Sequence, residues 1–187
     1  MSPPSFGVLA DLDRVLLNKD VIQLRVEAMA RQIERDFDGR ELCVVTLMDG
    51  ALFFVADLLR HIGLPVKLHT LTVSSYHGGT SSSGRVQLAQ RLPFDLAARH
   101  VLLIDDILDT GLTLATVKER IIEECKPETL RVAVLLSKRR QREREVATDY
   151  VGFEIDDEFV VGYGMDYRGH YRNLPCIGIL NPEGLKS

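Results

Sequence analysis

At 187 residues, 45% of them hydrophobic and 27% charged, the chain has room for one good core, and its composition excludes a disordered or fibrous protein. The formal net charge of -4 argues against a broad nucleic-acid footprint, so no nucleic-acid partner is expected. A small polyanionic substrate would have to be met by a local basic cluster, by backbone amides or by metal ions. Cys43, Cys125 and Cys176 are widely spaced in apolar stretches and read as buried free thiols of a reducing compartment rather than as a disulfide framework or zinc site. No basic and apolar leader opens the chain, and no stretch reaches the roughly 18 apolar residues that a bilayer crossing needs, so a cytoplasmic protein with no membrane partner is expected.

Residues 2–6 form a Pro/Ser-rich arm. From Asn18 the pattern turns helical: Val21, Ile22, Leu24, Val26, Met29, Ile33 and Phe37 fall largely on one face, with Lys19, Arg25, Arg31 and Arg35 elsewhere. Residues 42–47 are a short apolar run rich in β-branched side chains, hence a buried strand, which Met48-Asp49-Gly50 turns into a second helix over 51–62. Residues 65–76 read as another strand. Residues 74–84, SSYHGGTSSSG, carry too few apolar side chains to pack a core; the position favours a catalytic lid over an inert loop.

The chain is organised around residues 101–114, VLLIDDILDTGLTL. An apolar strand runs into Asp105 and Asp106, and after Ile107 and Leu108 the Asp109-Thr110-Gly111-Leu112-Thr113 segment opens a helix carrying Leu114, Val117, Ile121 and Cys125 at helical spacing. Lys126-Pro127 stops that helix, and 130–136 is a further apolar strand ending in Ser137-Lys138-Arg139-Arg140. Residues 150–155 and 159–164 are two more β-like runs, and 176–180 a final short strand. Strands alternating with helices imply a parallel α/β sheet, whose ligands bind beyond the carboxyl ends of the strands.

Two readings of the acidic loop stand side by side. Thr110, Gly111 and Thr113 offer amides and hydroxyls to a phosphate at the positive end of a helix, with Gly111 permitting close backbone approach. The acids then hold Mg²⁺ or act as a base. Alternatively, Asp109 or Thr110 merely caps the next helix. A P-loop is excluded because Gly-x-x-x-x-Gly-Lys-Ser/Thr is absent, and this loop lacks the Asp-x-Asp pair of a phosphatase because Asp105 is followed by Asp106 and Ile107.

An apolar strand, two acids, two apolar residues and then Asp-Thr-Gly-x-Thr resembles the signature that binds phosphoribosyl pyrophosphate in type I phosphoribosyltransferases. Leu47-Met48-Asp49-Gly50 occupies the place of that family's pyrophosphate loop, and Ser74-Ser75-Tyr76 opens what looks like its flexible lid. Residues 151–155 and 159–163, then Asp166-Tyr167 and Tyr171-Arg172-Asn173-Leu174-Pro175, are similar to the C-terminal hood of the hypoxanthine-guanine branch. The resemblance runs in order from about residue 9 to residue 180. It implies an α/β, type I phosphoribosyltransferase fold: a mainly parallel twisted sheet flanked by helices, with a small hood formed by chain-terminal segments. The whole chain would be a single domain, 1–187, with a lid at 74–86 and the C-terminal hood segment at about 156–187.

The implied reaction displaces pyrophosphate from C1 of phosphoribosyl pyrophosphate by N9 of hypoxanthine or guanine, giving IMP or GMP, with Mg²⁺ as cofactor and a homodimer or homotetramer as the assembly. By resemblance, Asp105 and Asp106 face the ribose hydroxyls and metal, Asp109 takes the purine N7 proton, and Asp109 to Thr113, through Thr110, Gly111 and Leu112, cradle the 5′-phosphate. Lys138 resembles the lysine that meets the purine 6-oxo group; by composition alone it would be one member of a solvated run. Phe159 matches the stacking aromatic, with Val160 supplying backbone contacts, although unaided Phe159 would be read as core. Asp166 matches a carboxylate near a second metal, and Arg172 the arginine that grips pyrophosphate. Tyr76, beside Ser75, would ride on the lid.

Two departures stand out. The family's pyrophosphate loop commonly reads Leu-Lys-Gly-Gly, whereas Met48 and Asp49 here precede Gly50, and Leu112 replaces a residue that is often basic. Both changes remove positive charge and predict a stronger dependence on Mg²⁺. A regulator of the same fold, binding a nucleotide or RNA with little activity, is the competing reading, supported by Met48 and Asp49 and opposed by the retained Asp109, Lys138, Phe159 and Arg172. A pyrimidine or orotate enzyme fails mainly on the hood sequence. The 51–62 helix, with Phe53, Phe54, Leu58 and Leu59, either packs on the sheet or helps form a subunit interface.

Overall fold

The computed structural model describes residues 7–73, 92 and 95–181. The chain enters through a short 3-10 turn, Gly7–Asp11, and a strand, β1 (Leu12–Leu17). Helix α1 (Lys19–Asp36) starts where Asn18 takes an extended conformation and its Oδ1 accepts the Val21 N–H at 2.9 Å. Its buried stripe is Ile22, Val26, Met29, Ala30 and Ile33, at intervals of three and four residues. Val21 and Leu24, expected on that face, lie on the outer one and are exposed.

The parallel strands follow as β2 (Leu42–Met48), β3 (Val66–Thr72), β4 (His100–Leu108), β5 (Thr129–Lys138) and β6 (Tyr150–Ile155), with helices α2 (Leu52–Arg60) and α3 (Leu112–Arg120) between them. The strand expected over 65–76 ends at Thr72, and the helix expected over 51–62 is less than one turn shorter, running from Leu52 and closing at Arg60. In space the order is β3-β2-β4-β5-β6, every neighbour parallel. One face of the sheet packs on α1 and α2 through Val44, Leu102, Ile104 and Leu135, the other on α3 through Val45, Val101, Leu103 and Val132. Burial on both faces is why β2 and the first part of β4 read as unbroken apolar runs, whereas the edge strand β3 is largely exposed and mixed in sequence. After Arg120 the last helical turn widens into a π-turn, Ile121–Cys125, and Lys126 adopts a left-handed conformation that ends it.

The order places a topological switch between β2 and β4, because the chain moves outward from β2 to β3 and then returns to β4 on the other side. Such a switch opens a crevice at the carboxyl ends of its two strands. Those ends are Met48-Asp49-Gly50 and Asp105 to Asp109.

A second sheet, in the order β1-β8-β7, joins the two chain ends: β8 (Ile177–Leu180) pairs antiparallel with β1 on one side and with β7 (Val160–Val161) on the other. This is the hood. The expected run 159–164 is a strand for only two residues, because Gly162, Tyr163 and Gly164 all have positive φ, which no strand accommodates. Tyr163 instead buries its ring and donates its hydroxyl to Asp57 of α2 at 2.7 Å, pinning the hood to the main body; burial and the Asp57 charge push the phenol well up. Among the described residues no helix is long and apolar enough to cross a membrane. Cys43, Cys125 and Cys176 are buried and free, and burial raises each thiol.

Candidate active site

A cavity of about 290 Å³ opens at the switch between β2 and β4, lined by Met48 and Gly50 from one strand end and by Asp105, Asp106, Asp109, Thr110, Gly111 and Thr113 from the other. Its floor is the acid pair. Asp105 Oδ1 accepts the Asp106 N–H at 3.0 Å, and Asp106 Oδ1 accepts the Ile107 N–H at 2.8 Å. Both side chains keep partial exposure toward the cavity. Burial nonetheless pushes the Asp105 carboxyl well above the usual carboxylate range, and the Asp106 charge adds to it; Asp106 is raised by burial and partly offset by its hydrogen bonds and the charge of Arg172. Two adjacent hard oxygen donors that resist carrying their charges unaided are a fitting seat for a hard divalent cation. Among the described residues no group of three or more His, Cys, Asp or Glu is arranged to hold a metal, so these two carboxylates would act together with substrate oxygens and water.

Gly50 is required by this floor: a Cβ there would overlap the Asp106 carboxylate. Gly111 is required for a different reason than close approach to a phosphate. Its φ is +82, and the space a Cβ would fill is taken by the Arg144 carbonyl oxygen. The 139–149 connection therefore leans on the acidic loop, and the Glu143 and Arg144 N–H groups donate to the Thr110 carbonyl at 3.0 and 3.1 Å.

The capping reading of Asp109 and Thr110 is not what the structure shows. Gly111 is the N-cap of α3 and no side chain caps it; Thr110 Oγ1 accepts only a long 3.4 Å bond from Leu112. The first amides of α3 thus face the cavity without a side-chain cap, which makes the helix start an anion seat. Asp109 turns instead to the base of β5. Its Oδ2 accepts from Lys138 Nζ at 2.9 Å and its Oδ1 from Arg140 Nη1 at 2.9 Å. Asp157 Oδ1 lies 3.4 Å from Lys138 Nζ and 3.3 Å from Arg140 Nη1, closing a ring of two cations and two acids.

Lys138 keeps only 9% of its side chain exposed, so the solvated-run reading does not describe it. Arg140 and Asp157 are the site residues that sequence reasoning missed. The basic run has no period that marks which cation turns inward: Arg139 goes to Glu154 and Asp156, Arg142 to Ser137 Oγ, and Arg144 to Glu119.

In the hood, Phe159 is not core; it is half exposed and meets Tyr167 edge-on with centroids 5.8 Å apart. Val160 is buried and pairs with Ile179. Arg172 donates to the Gly164 carbonyl at 2.6 Å and pairs with Asp166 at 2.9 Å, and Asp166 also accepts the Gly169 N–H at 2.7 Å. The Asp166 carboxylate is therefore on Arg172, apart from the pocket-floor pair. Asp49 is exposed and Met48 half-buried, and the peptide between them is cis. Leu112 sits at the first position of α3. Ser75, Tyr76 and the lid as a whole lie outside the described residues.

Residues 16–168 match the family model described as "Phosphoribosyl transferase domain". The chain is 42% identical to a hypoxanthine-guanine phosphoribosyltransferase of Staphylococcus aureus over 173 residues, 92% of this chain and 96% of that one. It is 39% identical over the same shares to a hypoxanthine-guanine phosphoribosyltransferase of Streptococcus pneumoniae. A crystal structure of a hypoxanthine phosphoribosyltransferase from Staphylococcus aureus superposes with a TM-score of 0.89 at 40% identity, covering 97% of this chain and 98% of the other.

Proposed function

The chain belongs to the phosphoribosyl transferase domain family, and from that premise we propose that it is a purine salvage enzyme of the hypoxanthine-guanine type. It joins hypoxanthine or guanine to phosphoribosyl pyrophosphate, forming IMP or GMP and releasing pyrophosphate. The observation that carries the proposal is the contact of Asp109 with Lys138 across the carboxyl ends of β4 and β5, beside the acid pair and an uncapped helix start.

Each group has work suited to its chemistry. The uncapped amides of α3, with the Thr110 and Thr113 hydroxyls, seat the 5′-phosphate. Asp105 and Asp106 lie where the ribose hydroxyls would come and stabilise the positive charge that C1 acquires as the leaving group departs. Magnesium held by that pair would neutralise the charge of departing pyrophosphate. Asp109 accepts the proton from purine N7 as N9 attacks, and Lys138 donates a hydrogen bond to the 6-oxo group. Phe159, already half exposed, stacks on the base beside the Val160 backbone, and Arg172 grips pyrophosphate with Asp166 holding its guanidinium. Taken as one unit, 1–187, the chain adds a lid at 74–86 and a hood segment at about 156–187. A reducing cytoplasm agrees with the buried free thiols, and the exposed Leu52 and Phe53 of α2 offer a face for a homodimer or homotetramer.

The test is nucleotide formation from phosphoribosyl pyrophosphate with each of hypoxanthine, guanine, xanthine, adenine, uracil and orotate. Product from the 6-oxopurines is expected, and none from any base would favour a nucleotide-binding regulator. Because Met48 and Asp49 bring no cation to the pyrophosphate end, turnover should also collapse on chelation of divalent metal; full turnover without it would overturn that dependence.

A further inference from the structure

The ring of charges at the proposed purine end puts a second cation, Arg140, on the carboxylate read as the base. Both oxygens of Asp109 are already taken, Oδ2 by Lys138 and Oδ1 by Arg140, each at 2.9 Å. An incoming purine N–H therefore has to share each oxygen of this carboxylate with a cation already bound to it, in the geometry that the cation leaves open. The two cations are not equivalent. Lys138 is 9% exposed and held by the end of β5, whereas Arg140 is 34% exposed on the connection that follows. Arg140 also already has a second acceptor: the same nitrogen, Nη1, that donates to Asp109 donates to Asp157 Oδ1 at 3.3 Å. Releasing Asp109 therefore leaves Arg140 on an acceptor it already holds. Arg139, Arg142 and Arg144 are committed to other partners and do not reach Asp109.

We propose that Arg140 is a positioning residue for the base: it holds Asp109 Oδ1 while the pocket is empty and releases it to the purine N–H, keeping its hydrogen bond to Asp157. Asp157 is the group that retains Arg140 after the release. The proposal rests on the purine-transfer reading given above. Its consequence is competition. Whatever fraction of the empty enzyme has Oδ1 occupied is lost to purine capture, and the apparent affinity falls by that fraction.

The two partners then act in opposite directions. Arg140→Ala removes the competitor and should lower the KM for hypoxanthine and guanine by about threefold, the scale of a part-exposed ion pair. Asp157→Asn weakens the second acceptor, leaves Arg140 more firmly on Asp109 and should raise the same KM by a similar factor. Because Asp157 also faces Lys138, the double variant decides between these routes: it should follow Arg140→Ala. Arg140→Lys, which keeps a cation, should return the KM toward that of the parent. The KM for phosphoribosyl pyrophosphate should stay within about twofold in every variant, since Arg140 stands at the purine end. A shift of both single variants in the same direction, or a phosphoribosyl pyrophosphate KM that moves as far as the purine KM, would overturn the proposal. If the parent protein forms no nucleotide, the activity reading fails instead, and calorimetric titration of guanine into the same four variants still reads the opposed shifts or their absence.

Discussion

The loop after β4 and the hood supply different halves of the candidate site, and they are held by different forces. The loop is the continuation of a central strand hydrogen-bonded on both sides, with Val101, Leu102, Leu103 and Ile104 fully buried beneath it. Its position follows from hydrophobic burial, which is non-directional and is not screened by salt as ion pairs are. The hood has a small apolar cluster of its own, Val161, Leu174, Cys176 and Leu180, joins the main core through Val160, Met165 and Ile177, and adds polar contacts: Tyr163 on Asp57, Arg14 on Glu158 at 2.6 Å, Tyr171 on Asp11 at 3.1 Å. The half proposed to seat the phosphoribose is thus a buried strand end, while the half proposed to meet the base adds directional polar contacts to its share of the core.

The largest expected effect falls on the loop after β4. Asp109→Asn keeps the shape of the side chain and removes its basicity, so kcat should fall by about 10²-fold or more, with a smaller change in the KM values. Steady-state kinetics with guanine checks it, and an unchanged kcat would take Asp109 out of the role of base. The same loop should be intolerant in a purely structural sense. Gly111→Ala forces a side chain into a left-handed conformation against the Arg144 carbonyl, which should cost about 2 kcal/mol or more in denaturant unfolding.

On the hood side, Tyr163→Phe removes the hydroxyl from Asp57 and should cost about 1–2 kcal/mol. If the hood is the adjustable half, the same variant should raise the purine KM more than the phosphoribosyl pyrophosphate KM; an equal rise would erase the distinction. The smallest effect has the opposite sign. A carboxyl whose folded value lies above its unfolded one favours the protonated form in the native state. Asp105 therefore costs stability once pH rises above the ordinary carboxylate range, and the cost is absent in acid. Asp105→Asn should accordingly stabilise the metal-free protein at neutral pH by on the order of 1 kcal/mol, with the gain vanishing below the ordinary carboxylate range. Thermal unfolding across pH reads both limbs, and a destabilised variant at neutral pH would count against strain on the pocket floor.

The parallel core was legible from residues because burial on both faces leaves apolar runs, and α1 because its buried positions recur every three or four residues. Its outer positions were less so: Val21 and Leu24 are apolar yet exposed, and a period cannot tell a covered apolar side chain from an uncovered one. In the hood, β1 left no clean alternation, since Asp13, Arg14 and Val15 are exposed in succession on an edge strand.

By itself, then, the sequence determined that a strand rich in apolar residues would deliver Asp105, Asp106 and Asp109 to one end of a parallel sheet, because local pattern and strand polarity suffice for that. Tertiary structure alone decided that β1 would find β8 across most of the chain, that Gly111 would make room for a carbonyl rather than a ligand, and that Arg140, of all the cations after Lys138, would turn toward Asp109. Those outcomes depend on which surfaces meet after the sheet has formed, and no spacing along the chain encodes them.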